Sequence, residues 1–284
     1  MGDLRMPLLL YLCGGMKTWK TLLVALLLGS AWAQEGAFRV GAVLLPQNTW
    51  LLNKDDSDAG PELDYEVTWG FAGGISASYN FNDYLGVGLD VLYSSQGQKY
   101  KSDLGLASFT AKATLNYLKL PLLLRFNTDP NSPVQFNAFL GPQLNFLLSY
   151  KERVETSFLG IPVTQEISGT KITATGFGVM EEEELTAPIY KGFLPGAVLG
   201  FGVGIKPTDA LLISLHIRAD YAFGDVENKD AKIDHTHHGG TGQDPFWVMK
   251  PKYGEAPSSD YSRPATTALT GGLQVGVYYT IGGR

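Results

Sequence analysis

Between Lys191 and Phe223 the chain reads KGFLPGAVLGFGVGI, then KPTD, then ALLISLHIRADYAF. In the last run Leu211, Ile213, Leu215, Ile217, Ala219, Tyr221 and Phe223 take every second position, and Ser214, His216, Arg218, Asp220 and Ala222 fall between them. A period of two over that length specifies a β-strand with one apolar and one polar face. The run before it sets Phe193, Pro195, Ala197, Leu199, Phe201, Val203 and Ile205 against Gly196, Gly200, Gly202 and Gly204. A polar face with His, Arg and Asp in succession, backed by an unbroken apolar face, suits a strand between hydrocarbon and a packed polar lumen. Two such strands joined by a tight turn predict a hairpin of a transmembrane β-barrel.

Alternation of this kind recurs in eight runs, at 38–45, 67–80, 84–95, 114–126, 134–150, 193–205, 211–223 and 269–281. The connections at 80–83, 127–133 and 206–209 are short, whereas 46–66, 96–113, 151–190 and 224–266 are long. Short turns on one side and long loops on the other are the pattern of outer-membrane barrels. The expected fold is therefore all-β: an eight-stranded antiparallel transmembrane β-barrel over 34–284, with short periplasmic turns and long extracellular loops. Closing the first strand on the last removes edges that hydrocarbon cannot hydrate.

Aromatic side chains fall where two interfacial girdles would lie. Tyr79, Phe81, Tyr84, Phe126 and Phe136 sit near the short turns; Trp69, Tyr93, Tyr150, Tyr221 and Phe223 sit near the long loops. Composition agrees: charged residues are 18% of the chain and glycines number 34, against about 25% charged and ~7% glycine in soluble domains. The net charge is −6 with no basic run, so a nucleic-acid partner is not expected.

Residues 16–33, MKTWKTLLVALLLGSAWA, carry Lys17 and Lys20, then an apolar core, then Ala31-Trp32-Ala33. That is the form of a cleavable Sec signal peptide, with cleavage expected before Gln34; the apolar run is too short for a spanning helix. Residues 1–15 read as an upstream extension, with Met1 and Met16 both open as the start. Cys13, the one cysteine, precedes the cleavage site, and Leu12 before it is too large for a lipoprotein box. No disulfide is expected in the mature chain.

Charged residues on the predicted inner faces are Arg39, Asp90, Lys119, Arg125, His216, Arg218 and Asp220. An eight-stranded interior is just wide enough to be filled by side chains. A structural ion-pair network is thus the simpler reading, and a polar conduit or proton path the sharper one. Ser214 and His216, two residues apart on one face, would be the pair for a lipid-active hydrolase, but they point away from lipid and no oxyanion donors accompany them. His235, His237 and His238, beside Asp234 and Asp244, have spacing that can hold zinc or copper, with a solvated loop as the plainer alternative. Glu181 to Glu184 read as a solvated acidic segment that a divalent cation could bridge. No P-loop, dinucleotide-binding glycine pattern, zinc-protease helix or nucleophile elbow occurs, and no cofactor is expected.

Three segments, GVGLDVLYSSQGQKY (86–100), NYLKLPLLLRF (116–126) and FLGPQLNFLLSY (139–150), resemble the PorT-like outer-membrane β-barrel family of Bacteroidota. The matching positions are Tyr93, Ser94, Gly97, Tyr117, Leu118, Pro121 to Leu124, Gly141 and Pro142. The resemblance implies an outer-membrane location in a didermic bacterium and, through the family's namesake, a link to protein secretion; it implies little about activity. The last strand, Gln274-x-Gly276-x-x-Tyr279-x-Ile281, is similar to the signal read by barrel-insertion machinery, with Ile281 in place of the final aromatic. The expected role is non-enzymatic: a structural, binding or secretion-associated protein in contact with outer-membrane lipid and lipopolysaccharide. A protein partner would meet the loops, through Trp50, Phe246, Trp247 and Tyr253. A small-solute channel and a lipid hydrolase are the rival classes.

Overall fold

A computed structural model of the chain describes residues 37–59, 63–103, 107–128, 132–234, 243–246 and 262–281. Eight long strands dominate: β1 (Ala37–Leu52), β2 (Thr68–Asn80), β3 (Leu85–Asp103), β4 (Ala107–Asn127), β5 (Val134–Phe158), β6 (Phe193–Thr208), β7 (Leu211–Ala222) and β8 (Thr267–Ile281). Each pairs antiparallel with its sequence neighbour. The ring closes where β8 returns to β1, from Phe38 opposite Ile281 to Leu52 opposite Thr267. Such closure satisfies the backbone of every barrel strand from both sides, as a bilayer demands.

The polarity of the wall runs opposite to that of a soluble sandwich. Along β7 burial alternates without a break: Ser214, His216, Arg218 and Asp220 are buried, and Ile213, Leu215, Ile217 and Tyr221 are exposed. Leu44, Ile75, Leu89, Leu122, Leu140, Phe201 and Leu273 are likewise exposed around the ring. Both girdles persist in part, with Phe81, Tyr84, Phe126 and Phe136 outside at the short-turn end and Trp69, Tyr93, Tyr221 and Phe223 outside at the far end.

Tyr150 departs from its expected girdle position. Opposite β5, Asn116 pairs with Ser149 and Tyr117 with Leu147, so Leu148 is an extra residue in the ladder. This bulge reverses the facing of everything beyond it. Tyr150 is consequently buried and Ser149 exposed.

The loops expected at 96–113 and 151–190 are largely strand. β3 and β4 stay paired up to Asp103 and Ser108. β5 continues to Phe158 and then joins a three-stranded extension, Ile161–Ser168, Lys171–Gly176 and Val179–Leu185. Glu181 to Glu184 therefore lie on a strand rather than in a loop. The 46–66 connection holds the end of β1, a short helix α1 (Lys54–Asp58) capped by Asn53, and a strand Asp64–Glu66 paired with β3. Past the apolar band the outward positions meet water and hold Lys101, Lys112 and Arg153 while several inward positions are polar as well, so apolar alternation fades and the sequence stops announcing the strand.

The largest apolar core lies at the far end, above the lumen. Leu115, Tyr117, Tyr150, Ile167, Ile189, Tyr190 and Val226 pack there, joined by Phe246. Phe246 is 3% exposed and its N–H donates to the Ala231 carbonyl at 2.9 Å; the expectation that it meets a partner is corrected, because it packs into this core. The signal segment 16–33 and the loop residues His235, His237, His238, Trp247 and Tyr253 lie outside the described residues.

Candidate functional site

Inward positions of four strands, β1, β3, β4 and β7, bring the predicted charged set into one stack inside the ring. Arg218 is its centre and is 1% exposed. Its Nε donates to Asp220 Oδ1 at 2.9 Å, its Nη1 to Gln274 Oε1 at 2.9 Å and Asp90 Oδ2 at 3.3 Å, and its Nη2 to Gln143 Oε1 at 3.2 Å. Lys119 donates to the other oxygen of Asp220 at 3.1 Å, beside Thr270, which donates to the same oxygen at 3.2 Å. Each carboxylate is thus shared between two cations, since Arg125 Nη2 lies 3.6 Å from Asp90 Oδ1. Charges this deep persist only when paired and hydrogen-bonded.

Nearer the short turns the stack becomes cationic and aromatic. Arg125 sits over the rings of Tyr278 at 5.5 Å and Phe139 at 5.8 Å, and donates to Ser76. Arg39 joins Arg125, His216 and Tyr278 around a void of about 10 Å³. His216 Nε2 lies 3.0 Å from Asn137 Oδ1, and Phe139 stands edge-on to the imidazole at 5.3 Å. Ser214 Oγ makes no hydrogen bond among the described residues, so Ser214 and His216 do not form a nucleophile–base contact. A second void of about 10 Å³ adjoins Lys119 and Asp220. Spaces of that size hold about one water each, and Lys119, Gln143, Asp220 and Tyr278 around them are buried.

Two motif positions singled out in the sequence are explained by the same packing. Ser94 accepts a hydrogen bond from Gln47 at 3.0 Å. Gly97 accepts from the Thr49 hydroxyl at 2.7 Å, and its N–H donates back to that hydroxyl at 3.0 Å. Both link β3 to β1 across β2.

A second polar cluster closes the far end, and no sequence pattern marked it. Arg263 spans two acids: its Nη1 and Nη2 donate to the two oxygens of Asp56 at 2.9 and 2.8 Å, and its Nε donates to Glu227 at 2.9 Å. Thr266 donates to Glu227 at 2.7 Å, and Asn53 to Thr266 at 2.8 Å. Burial would lower the Arg263 pKa, but hydrogen bonds and charge from Asp56 and Glu227 outweigh it and raise the value. Burial raises the Glu227 pKa against the pull of Arg263. Tyr65 and Tyr100 pack edge to face at 5.0 Å beside this cluster. Burial, then the Asp56 carboxylate, pushes Tyr65 up to about 12. Beside them the described residues line a half-open chamber of about 240 Å³, with Leu51, Phe109, Ala113 and Val154 among its walls. Asp56 and Arg263 are far apart in sequence and lie in non-alternating segments, so nothing local could have joined them.

Residues 33–228 match the family model described as "Outer membrane protein beta-barrel domain". Among solved structures, the chain is similar to Neisserial surface protein A, at 14% identity over 86% of this chain and 97% of that one, with a TM-score of 0.36. It is also similar to OprG from Pseudomonas aeruginosa, at 12% identity over 87% and 96% with a TM-score of 0.38. Ail, the attachment invasion locus protein of Yersinia pestis, matches at 12% over 87% and 99% with a TM-score of 0.29. A comparison with curated proteins gives no match.

Proposed function

This chain belongs to the outer membrane protein beta-barrel domain family, and from that premise we propose that it is a non-enzymatic binding protein of the cell surface rather than a channel. The observation that carries this reading is the filled lumen: Arg218 and its partners Asp90, Asp220, Gln143 and Gln274 span the interior from opposite walls. A conducting path would have to break that buried network.

Recognition is assigned to the far end, because outer-membrane barrels carry short turns on the periplasmic side and long connections outside. Binding residues concentrate on segments held by a rigid scaffold, and here the extension is strand-built. Its two tips expose Leu159 and Phe177 at 65% and 75%. Both adopt left-handed backbone, φ 51° and 50°, a conformation that bulky residues adopt at a cost. Large apolar side chains held there suit contact with a protein partner. The PorT-like wording of 86–150 supports a secretion-associated form of this role. An N-terminal signal would direct export, the β8 signature would engage the insertion machinery, and the outer wall would rest in lipid and lipopolysaccharide.

Fractionation should place the protein in the outer membrane, with gel mobility that changes on boiling, and planar bilayers carrying it should stay electrically silent. Discrete conductance steps from the folded protein would overturn the assignment.

A further inference from the structure

The geometry points to the far-end chamber as a binding site for a small organic ammonium ion with an apolar body, a refinement that rests on the surface-binding role above. The chamber volume, about 240 Å³, is far above the space of about 10–15 Å³ that a single water needs. That is room for a single-ring amine. Leu51, Leu63, Phe109, Ala111, Ala113 and Val154 supply apolar wall, which disfavours a fully polar solute.

Charge selects the polar end of the guest. Among the described residues the lining contributes three carboxylates, Asp56, Glu152 and Glu227, and one guanidinium, Arg263. An anion would meet net repulsion. The guanidinium is already held in a fork by Asp56 and tied to Glu227, so it shapes the wall. Tyr100 and Tyr190 also line the space, and aromatic faces attract cations, most strongly where water is excluded. Tyr190 donates to Glu152 at 3.1 Å and packs edge to face with Tyr150 at 5.0 Å. The lining is thus positioned before a guest arrives, which lowers the ordering cost of binding.

The test is calorimetry on the full-length folded protein in detergent with three probes of similar shape: phenethylamine, 2-phenylethanol and 3-phenylpropionate. The amine should bind at least tenfold more tightly than the alcohol, and the carboxylate should give no binding heat. Ala113→Leu, which fills the chamber, and Glu152→Gln, which keeps its shape, should each weaken amine binding at least tenfold while gel mobility still changes on boiling. If Ala113→Leu fails that folding check, Ala111→Leu replaces it. Equal affinity for all three probes, no binding of the amine, or binding indifferent to both variants would overturn the assignment. A protein silent in bilayers that ignores the amine refutes the chamber site alone; conductance steps refute the role beneath it.

Discussion

Ile217→Arg separates hydrocarbon from water on the outer wall. Ile217 lies at the middle of β7, between Phe201 on β6 and Leu273 on β8, and it is 53% exposed. Its wall neighbours Phe201, Leu215 and Leu273 are exposed to a similar degree, so the site sits in a continuous apolar band. Arginine at the midplane of a lipid-facing barrel wall costs about 2–4 kcal/mol. At 1.4 kcal/mol per decade, that lowers the folding equilibrium constant by roughly thirty- to several-hundred-fold. The control is Ile161→Arg on the far-end extension, where the isoleucine is 46% exposed but faces water; a surface change of that kind stays within about 0.5 kcal/mol. Both isoleucines are comparably exposed, so only the surrounding solvent distinguishes them. Reversible denaturant unfolding in lipid vesicles, followed by tryptophan fluorescence, gives both values. If the two variants shift the midpoint equally, the band around Ile217 does not meet lipid and the barrel reasoning fails.

Other consequences follow from the packing and from the far-end cluster. Gly200 leaves the space taken by the Phe139 ring, and a Cβ there would overlap it; Gly200→Ala should cost about 1–3 kcal/mol. Gly271→Ala, where a Cβ meets nothing closer than 3.7 Å, should be near neutral in the same unfolding assay, and equal costs would contradict the packing. Arg263→Met leaves Asp56 and Glu227 without their bridge, a loss of about 3–5 kcal/mol for a buried pair. Limited proteolysis should then cut within 223–266 while the boiled and unboiled gel shift persists, and unchanged protection would count against the bridge. Tyr65, raised to about 12, stays neutral longer in the folded chain than in the unfolded one. The stability it confers is complete below the ordinary phenol value near 10 and disappears as pH climbs through about 12. Absorbance at 295 nm should show a late step that Tyr65→Phe removes, and an identical titration in that variant would refute the burial argument.

The membrane wall was legible because two solvents imprint it. Hydrocarbon selects Leu, Ile, Val and Phe at one parity, and the lumen selects Ser, Gln, His, Arg and Asp at the other, as β7 displays from Leu211 to Ala222. The inward set from Arg39 to Asp220 could be named for that reason, but its partners could not. Gln143 and Gln274 reach Arg218 from other walls, and parity gives facing without height. The bulge at Leu148 was invisible as well, since an extra apolar residue in an apolar run leaves no trace until the register is known.

Past the far girdle the imprint disappears. Residues 151–185 form strands that are mostly exposed or half-buried, with Glu152, Ile167, Ile172 and Leu185 as the buried positions, so their alternation carries little signal and they read as loop. The sequence by itself determined a ring of eight strands, its inverted polarity and the charged residues inside it, because each follows from local period and turn length. Only the tertiary structure decided that Arg263 would join Asp56 to Glu227 beside the chamber, because that meeting brings together residues distant in the chain that no local period or turn length links.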